Sequence, residues 1–267
     1  MQSGNDACVA MAEYLAGSVD SFANQMNAWA AKLGMTHSHF VNPHGLYDEQ
    51  HYSTARDMAT LGMALIRDLP DQYALHSQRS FTFNNITQHN RNRLLWDQSL
   101  SVDGMKTGYV SQVGYNLVAS ATDPDGMRLI SVIMGSSNER IRSDETKKLL
   151  TYGFRFFQNV TPYKAGSELV NQTIWMGDKS KIKLGVDENV TVLVKRGQTD
   201  NLTADFQLDR ELRAPIAKGE RVGTLRVRQG DNELTSVALV ALEEVNEGSF
   251  IRRLLDYITL MITGLFK

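Results

Sequence analysis

The spacing of apolar residues changes along the chain, and this change constrains the fold more than any other feature. Up to about residue 158, stretches with helical spacing precede three strand-like stretches and a further helical stretch. Residues 160–243 contain short apolar strands separated by Gly, Pro and Asp, which is typical of a small β-sandwich. We therefore predict an α+β domain over residues 1–159, a β-rich domain over residues 160–246 and a terminal helix over residues 247–267.

Composition excludes two kinds of partner. The formal net charge of -2 gives no global positive field that could gather nucleic acid. The six histidines form no His-x-x-x-His helix and have no cysteine beside them, so the sequence predicts no metal site. We expect neither nucleic acid nor a metal ion among the ligands.

The carboxy-terminal stretch has the pattern of an amphipathic helix, but charged residues interrupt it too often for it to cross a bilayer. We expect it to lie in a membrane interface, with Arg252, Arg253 and Lys267 facing anionic headgroups. The alternative is a terminal helix docked on its own domain. The apolar residues assigned to membrane association are Phe250, Ile251, Leu254, Ile258, Met261, Leu265 and Phe266.

Two short motifs indicate a catalytic site. Lys106-Thr107-Gly108 ends a predicted strand, and Ser3-Gly4-Asn5 opens a predicted helix upstream. Lys-Thr-Gly belongs to the motif set of serine β-lactamases and penicillin-binding proteins, together with Ser-x-x-Lys and a Ser-x-Asn motif. The ordinary alternative for Ser3 and Asn5 is a helix cap.

The chain resembles the low-molecular-mass penicillin-binding D-alanyl-D-alanine carboxypeptidases from residue 3 to residue 267. This resemblance implies an incomplete β-lactamase/penicillin-binding-like catalytic domain, followed by a small β-sandwich domain and an amphipathic helix. It also implies a serine-type hydrolase that removes the terminal D-alanine from peptidoglycan pentapeptides through an acyl-enzyme, binds β-lactam antibiotics and needs no cofactor. The matching stretches are residues 3–10, 44–46, 90–92, 94–96 and 102–108.

The resemblance assigns catalytic roles to three residues. Ser3 relays a proton between the nucleophile and the leaving group, and Asn5 fixes the substrate amide and a catalytic lysine by hydrogen bonding. Lys106 supplies the positive charge beside Ser3. We therefore expect these three side chains to lie together.

The resemblance also implies a set of substrate contacts. Thr107 binds the terminal carboxylate, Gly108 lets the peptide lie along the strand edge, and the backbone N–H of Tyr109 forms half of an oxyanion hole. Arg142 makes a second contact to the carboxylate, and Arg91 braces the site. Without the resemblance, each arginine is most often a solvated surface charge. Tyr109 stands where many relatives carry a histidine.

The sequence departs from the family at the nucleophile. No Ser-x-x-Lys motif precedes Ser3, and the one internal match, Ser180-Lys181-Ile182-Lys183, lies in the predicted second domain. We assign that match to coincidence. We therefore expect an amino-terminally truncated family member that is inactive alone and whose first domain is poorly stable.

Three functions follow from these observations. The leading one is a carboxypeptidase held at the periplasmic face of the bacterial inner membrane, although no export signal opens the sequence. A second is a noncatalytic peptidoglycan-binding or membrane-interaction protein, which the lost nucleophile favours. A third, a serine β-lactamase, shares the motifs but lacks the second domain and the tail.

Overall fold

The computed structural model describes residues 2–265, with side chains up to residue 262. It contains two compact units that divide between Phe156 and Phe157. This division lies three residues before the boundary that the sequence predicts. A helix continues unbroken to Phe156 and the next strand begins at once, so no turn separates the units.

Local signals in the sequence determine the helix ends of the first unit. Gly17 ends the first helix in a left-handed conformation with φ 79°, which glycine adopts without a steric penalty. Ser18 and Thr54 cap the second and third helices by accepting backbone N–H groups three residues on. The third helix ends at Asp68, and Pro70 begins a short fourth helix, where its missing N–H is tolerated. These helices are α1 (Asn5–Ala16), α2 (Val19–Lys32), α3 (Ala55–Asp68) and α4 (Pro70–Tyr73).

A three-stranded antiparallel sheet forms the centre of the first unit. Its strands lie in the order β3-β4-β5, so β3 is an edge strand among the described residues. α5 packs against β4 and β5, and α3 lies against β5. The elements are the hairpin β1 (Ser80–Phe83) and β2 (Ile86–His89), then β3 (Ser101–Val110), β4 (Gly114–Thr122), β5 (Arg128–Ser136) and α5 (Glu139–Phe156). The core beneath α5 consists of Leu94, Leu117, Ala119, Ala121 and Leu150.

The second unit consists of two packed sheets, which form the small β-sandwich that the sequence predicts. One sheet has five strands in the order β10-β11-β12-β8-β7, and the other pairs β6 with β9. Alternate residues of β9 are buried against β11. The strands are β6 (Phe157–Tyr163), β7 (Glu168–Thr173), β8 (Lys181–Gly185), β9 (Val190–Lys195), β10 (Leu202–Leu208), β11 (Arg221–Gln229) and β12 (Asn232–Ala241).

The terminal helix, α6 (Phe250–Leu265), is attached to the second unit by polar contacts in its first half. The carboxylate of Asp256 accepts the backbone N–H of Met176 at 2.6 Å. Arg252 donates to a backbone carbonyl of the second unit at 3.0 Å, and Arg253 forms an ion pair with Glu247. Both arginines that we expected to face lipid headgroups are therefore engaged within the protein.

The outer side of α6 remains apolar and exposed. Phe266 and Lys267 of the predicted helix lie outside the described residues, as does the side chain of Leu265. Over the part of the chain that the structure describes, no helix combines the length and the apolar character needed to cross a bilayer. The exposed apolar residues of α6 are Phe250, Ile251, Leu254, Leu255, Tyr257, Ile258, Met261 and Ile262.

Candidate active site

A hydrogen bond across 103 residues joins the two sequence motifs. Lys106 Nζ donates to Ser3 Oγ at 2.5 Å and to the carbonyl oxygen of Thr107 at 2.6 Å. Ser3 has φ 56°, a left-handed conformation that non-glycine residues rarely adopt and that is often found at functional sites. The N-cap of α1 is Gly4, so the hydroxyl of Ser3 serves this contact rather than capping the helix that begins at Asn5.

The surroundings of Lys106 contain an excess of positive charge. Burial lowers the pKa of the Lys106 ammonium, and the nearby guanidinium groups of Arg91 and Arg142 lower this pKa further, while Cys8 opposes them. Two of the predicted site residues therefore act as cations on a third, Lys106. Such a group is suited to bind an anion.

Arg142 is a buried cation whose side-chain donors are not all used within the protein. Its side chain lies in the first turn of α5 and is 2% exposed. Among the described residues, its Nε and Nη2 atoms have no hydrogen-bond partner. Burial lowers the pKa of Arg142, and Glu139 only partly offsets this effect. A buried cation with unpaired donors is destabilising, so these donors are available to a ligand that carries an acceptor group, such as a carboxylate.

The edge of β3 is open to an extended ligand. Thr107 is almost fully buried, whereas Gly108 and Tyr109 are exposed. A Cβ added at Gly108 would meet only the side chain of Asn116, at 3.8 to 3.9 Å, which is an ordinary contact. Internal packing therefore does not require glycine at this position, and the close approach of a ligand backbone is a better reason for it.

An aromatic pair lies at the end of the site. Tyr109 and Tyr115 are opposite each other in the β3–β4 ladder, with ring centroids 4.4 Å apart. The guanidinium carbon of Arg142 lies 5.8 Å from the centre of the Tyr115 ring. Sequence reasoning did not identify Tyr115, since an aromatic residue in a strand is most simply explained by packing.

A polar network that sequence reasoning also missed supports the start of β3. Asp103 pairs with Arg128 at 2.7 Å and accepts a hydrogen bond from the hydroxyl of Tyr73 at 2.7 Å. The fully buried Asn92 donates to the carbonyl oxygen of Gly104 at 2.9 Å. These partners are 12 to 30 residues apart, so local sequence patterns give no signal for them.

The segment before α1 is also linked to the hairpin that precedes Arg91. Gln2 Nε2 donates to the carbonyl oxygen of His89 at 2.7 Å. Ser3, Lys106, Arg91 and Arg142 thus come from four separate parts of the sequence. Together they can orient a hydroxyl group, bind a carboxylate and align an extended peptide. Among residues 2–265, no cluster of three or more His, Cys, Asp or Glu side chains could hold a metal ion.

Comparison with known sequences gives the same family for both units. The profile of the D-alanyl-D-alanine carboxypeptidases matches residues 1–138, and that of the penicillin-binding protein 5 C-terminal domain matches residues 157–247. The D-alanyl-D-alanine carboxypeptidases DacC and DacA of Escherichia coli (strain K12) are 51% and 48% identical over 97% and 98% of this chain. The chain spans 64% and 65% of their lengths, which is less than two thirds.

Solved structures show the same relationship. Penicillin binding protein 5 from Haemophilus influenzae has a TM-score of 0.80 at 44% identity, covering 92% of this chain and 72% of that one. Penicillin-Binding Protein D2 from Listeria monocytogenes, in its cefotaxime-bound form, has a TM-score of 0.52 at 31% identity, covering 57% and 62% of the two chains. The predicted fold class, a penicillin-binding-type catalytic domain followed by a sheet domain and a terminal helix, is confirmed. The chain therefore belongs to the D-alanyl-D-alanine carboxypeptidase family of penicillin-binding proteins.

Proposed function

We propose that this chain forms the substrate-binding part of a serine-type D-alanyl-D-alanine carboxypeptidase, which removes the terminal D-alanine from peptidoglycan pentapeptides. The observation that carries the proposal is the hydrogen bond from Lys106 to Ser3, because it joins two family motifs that are distant in sequence. Family membership and the unpaired donors of Arg142 support it.

In this reaction a serine hydroxyl attacks the carbonyl carbon of the penultimate D-alanine and forms an ester. The proton of the nucleophile passes to the leaving amine, and free D-alanine departs. Water then hydrolyses the ester and restores the serine. Ser3 acts as the relay: its oxygen accepts from the Lys106 ammonium, so its own hydrogen is available to the reacting nitrogen.

Recognition of the substrate depends on its terminal carboxylate. Thr107 lies beside Lys106 on the edge strand, and Arg142 carries two donors that need an acceptor. A guanidinium group with two available donors binds a carboxylate in a fixed orientation. Gly108 leaves room for the peptide backbone to pair with β3 as an added strand.

The nucleophilic serine of this family belongs to a Ser-x-x-Lys motif upstream of the Ser-x-Asn motif, and residues 1–267 contain no such match before Ser3. Their single Ser-x-x-Lys match begins at Ser180, and Lys183 of that match lies on β8, where it pairs with Glu168 at 2.8 Å. We therefore expect that these residues alone form no acyl-enzyme with the substrate or with a β-lactam. Covalent labelling of this exact chain by a fluorescent penicillin would contradict that expectation.

The decisive assay uses the longest reading frame that contains these residues. D-alanine release from a pentapeptide ending in D-Ala-D-Ala is measured for the unvaried protein and for Lys106→Ala. Loss of the ammonium should lower kcat/KM by about a hundredfold or more. Lys218→Ala, which removes an exposed lysine from the second unit, is the matched control and should leave the rate unchanged. Absence of release from the unvaried protein would overturn the enzymatic proposal.

A noncatalytic peptidoglycan-binding role is the second candidate, because the unpaired donors of Arg142 can bind a carboxylate without any turnover. A binding protein would retain the carboxylate site without turnover. The two functions are separated by peptidoglycan sedimentation combined with the release assay. Binding without release supports the noncatalytic role, whereas release supports the carboxypeptidase.

We also propose that α6 holds the protein at the periplasmic face of the inner membrane. Its exposed apolar side chains support this, and the internal contacts of Arg252 and Arg253 leave the apolar surface as the main attraction. Leu255→Glu should weaken binding to phosphatidylethanolamine–phosphatidylglycerol vesicles about tenfold. Leu193→Glu, a change at an exposed leucine of β9, is the control. Equal binding by both variants would contradict the proposal.

A further inference from the structure

Tyr115 contacts the candidate carboxylate-binding arginine without using any of its donors. The ring centre of Tyr115 lies 5.8 Å from the guanidinium carbon of Arg142, within the distance of a cation–π interaction. The same guanidinium group keeps Nε and Nη2 without hydrogen-bond partners among the described residues. A carboxylate or carbonyl at this place would accept hydrogen bonds from those donors, whereas an aromatic face attracts the charge and leaves them available.

The backbone of β4 is shaped to direct Tyr115. Its register against β5 shifts between Tyr115 and Leu117, which is the mark of a β-bulge, and bulges turn side chains away from their regular direction. Asn116 stabilises this irregularity, because its side chain accepts the N–H of Gly135 at 2.9 Å and donates to the carbonyl oxygen of Gly114 at 3.1 Å.

Tyr109 supports the same ring from the other side of the ladder. Its ring centroid is 4.4 Å from that of Tyr115, with an angle of 37° between the planes. Such pairs are stabilised beyond their buried area. Tyr109 is 58% exposed, so its position is determined mainly by this contact and by the strand.

We propose that Tyr115 is a positioning residue: its ring holds Arg142 so that Nε and Nη2 face the substrate carboxylate, and Tyr109 braces that ring. This inference rests on the proposed function, since it concerns how the same site selects a substrate with a free carboxylate. Tyr115 contacts neither the reacting atoms nor the carboxylate in this scheme. Its effect on the reaction passes through Arg142.

The test distinguishes a loss of carboxylate recognition from a general loss of enzymatic activity. kcat/KM is measured in the longest reading frame for a peptide ending in D-Ala-D-Ala and for the same peptide ending in the carboxamide. Tyr115→Leu should lower the ratio of the two values about fivefold, which is the size of a cation–π contact. Tyr115→Phe keeps the ring and should retain the ratio within about twofold. Tyr109→Leu should give a smaller decrease than Tyr115→Leu.

A double variant tests whether the effect passes through Arg142. Once Arg142→Met has removed the guanidinium group, adding Tyr115→Leu should lower the ratio no further. Tyr14→Leu, the same change at an exposed tyrosine of α1, is the matched control. The proposal would be overturned if kcat/KM fell equally for both peptides or if Tyr115→Phe and Tyr115→Leu lowered the ratio equally. Additive losses of the ratio in the double variant would also overturn it.

A second measurement tests the positioning role of Tyr115 independently of enzymatic activity. If the unvaried protein releases no D-alanine, the proposed function fails, and the position of Arg142 can still be followed by NMR. The Nε–H proton of Arg142 should show an upfield ring-current shift in the unvaried protein and in Tyr115→Phe, and it should lose this shift in Tyr115→Leu. An unchanged resonance in Tyr115→Leu would overturn the positioning role.

Discussion

Replacing Arg142 with methionine should stabilise the folded protein while it weakens substrate binding. Arg142 is 2% exposed and has two donor atoms without partners among the described residues. Each unpaired buried donor destabilises a fold by about 1 to 3 kcal/mol, so the two donors together destabilise it by about 2 to 6 kcal/mol. The lost cation–π contact with Tyr115 accounts for about 0.5 to 1 kcal/mol in the other direction. The free energy of unfolding should therefore rise by about 1 to 5 kcal/mol.

Urea unfolding at neutral pH without ligand measures this change. Arg140→Met is the matched control, because Arg140 lies on the same helix, is 86% exposed and pairs only loosely with Asp144 at 3.6 Å. It should change the free energy of unfolding by no more than about 0.5 kcal/mol. D-alanine release by Arg142→Met should fall about tenfold or more, since each tenfold loss corresponds to about 1.4 kcal/mol of binding. A loss of more than about 1 kcal/mol of stability in Arg142→Met would refute the reasoning, because it would mean that the guanidinium group is structurally paired.

Three further predictions concern the same unit. Gly108→Ala should change the free energy of unfolding by less than about 0.5 kcal/mol, since the new methyl group meets only Asn116. The same variant should lower kcat/KM about tenfold, because the methyl group obstructs the peptide. A large loss of stability in urea would contradict this. Neutral His51 accepts the N–H of Val41, and burial lowers the pKa of the imidazole. The folded state therefore binds fewer protons than the unfolded state, and stability should fall as the pH drops below 6.5. The thermal midpoint, measured from neutral to mildly acidic pH, should fall less in His51→Gln than in the unvaried protein. Asn92→Ala should lower the free energy of unfolding by about 1 to 3 kcal/mol in the same urea assay, and a neutral result would mean that its buried amide is dispensable.

The sequence predicts most of the first unit where the signals are local. Ser18 and Thr54 mark helix starts as N-caps, and the strands around Lys106 follow from their apolar content. The β1–β2 hairpin was missed because each strand has only four residues, all of them exposed, although β1 alternates polar and apolar residues. The remaining signal is Asn84-Asn85, a pair with φ 49° and 61° that suits a tight hairpin turn.

The site itself was only partly accessible from sequence. The resemblance assigned Arg142, but its burial and its two unpaired donors depend on how α5 packs against the sheet. Tyr115 has the same sequence pattern as any half-buried strand aromatic, and the bulge between Tyr115 and Leu117, which changes its direction, has no signal in the sequence. The burial of Arg142 and the direction of Tyr115 depend on contacts between residues that are distant in the chain, and the periodicity of the sequence does not predict such contacts.

The convergence of cations links the stability of the site to its ligand. Arg91 and Arg142 both lower the pKa of Lys106, because each guanidinium group repels the Lys106 ammonium. A bound carboxylate reduces this repulsion and pairs the donors of Arg142, and any ligand that binds only the folded state stabilises it by about 2.7 kcal/mol at a hundred times its Kd. The thermal midpoint of the unvaried protein should therefore rise with added N-acetyl-D-alanine, whereas Arg142→Met should respond little because it has lost the donors. The same side chains thus determine both the electrostatic repulsion on Lys106 and the affinity of the site for a carboxylate.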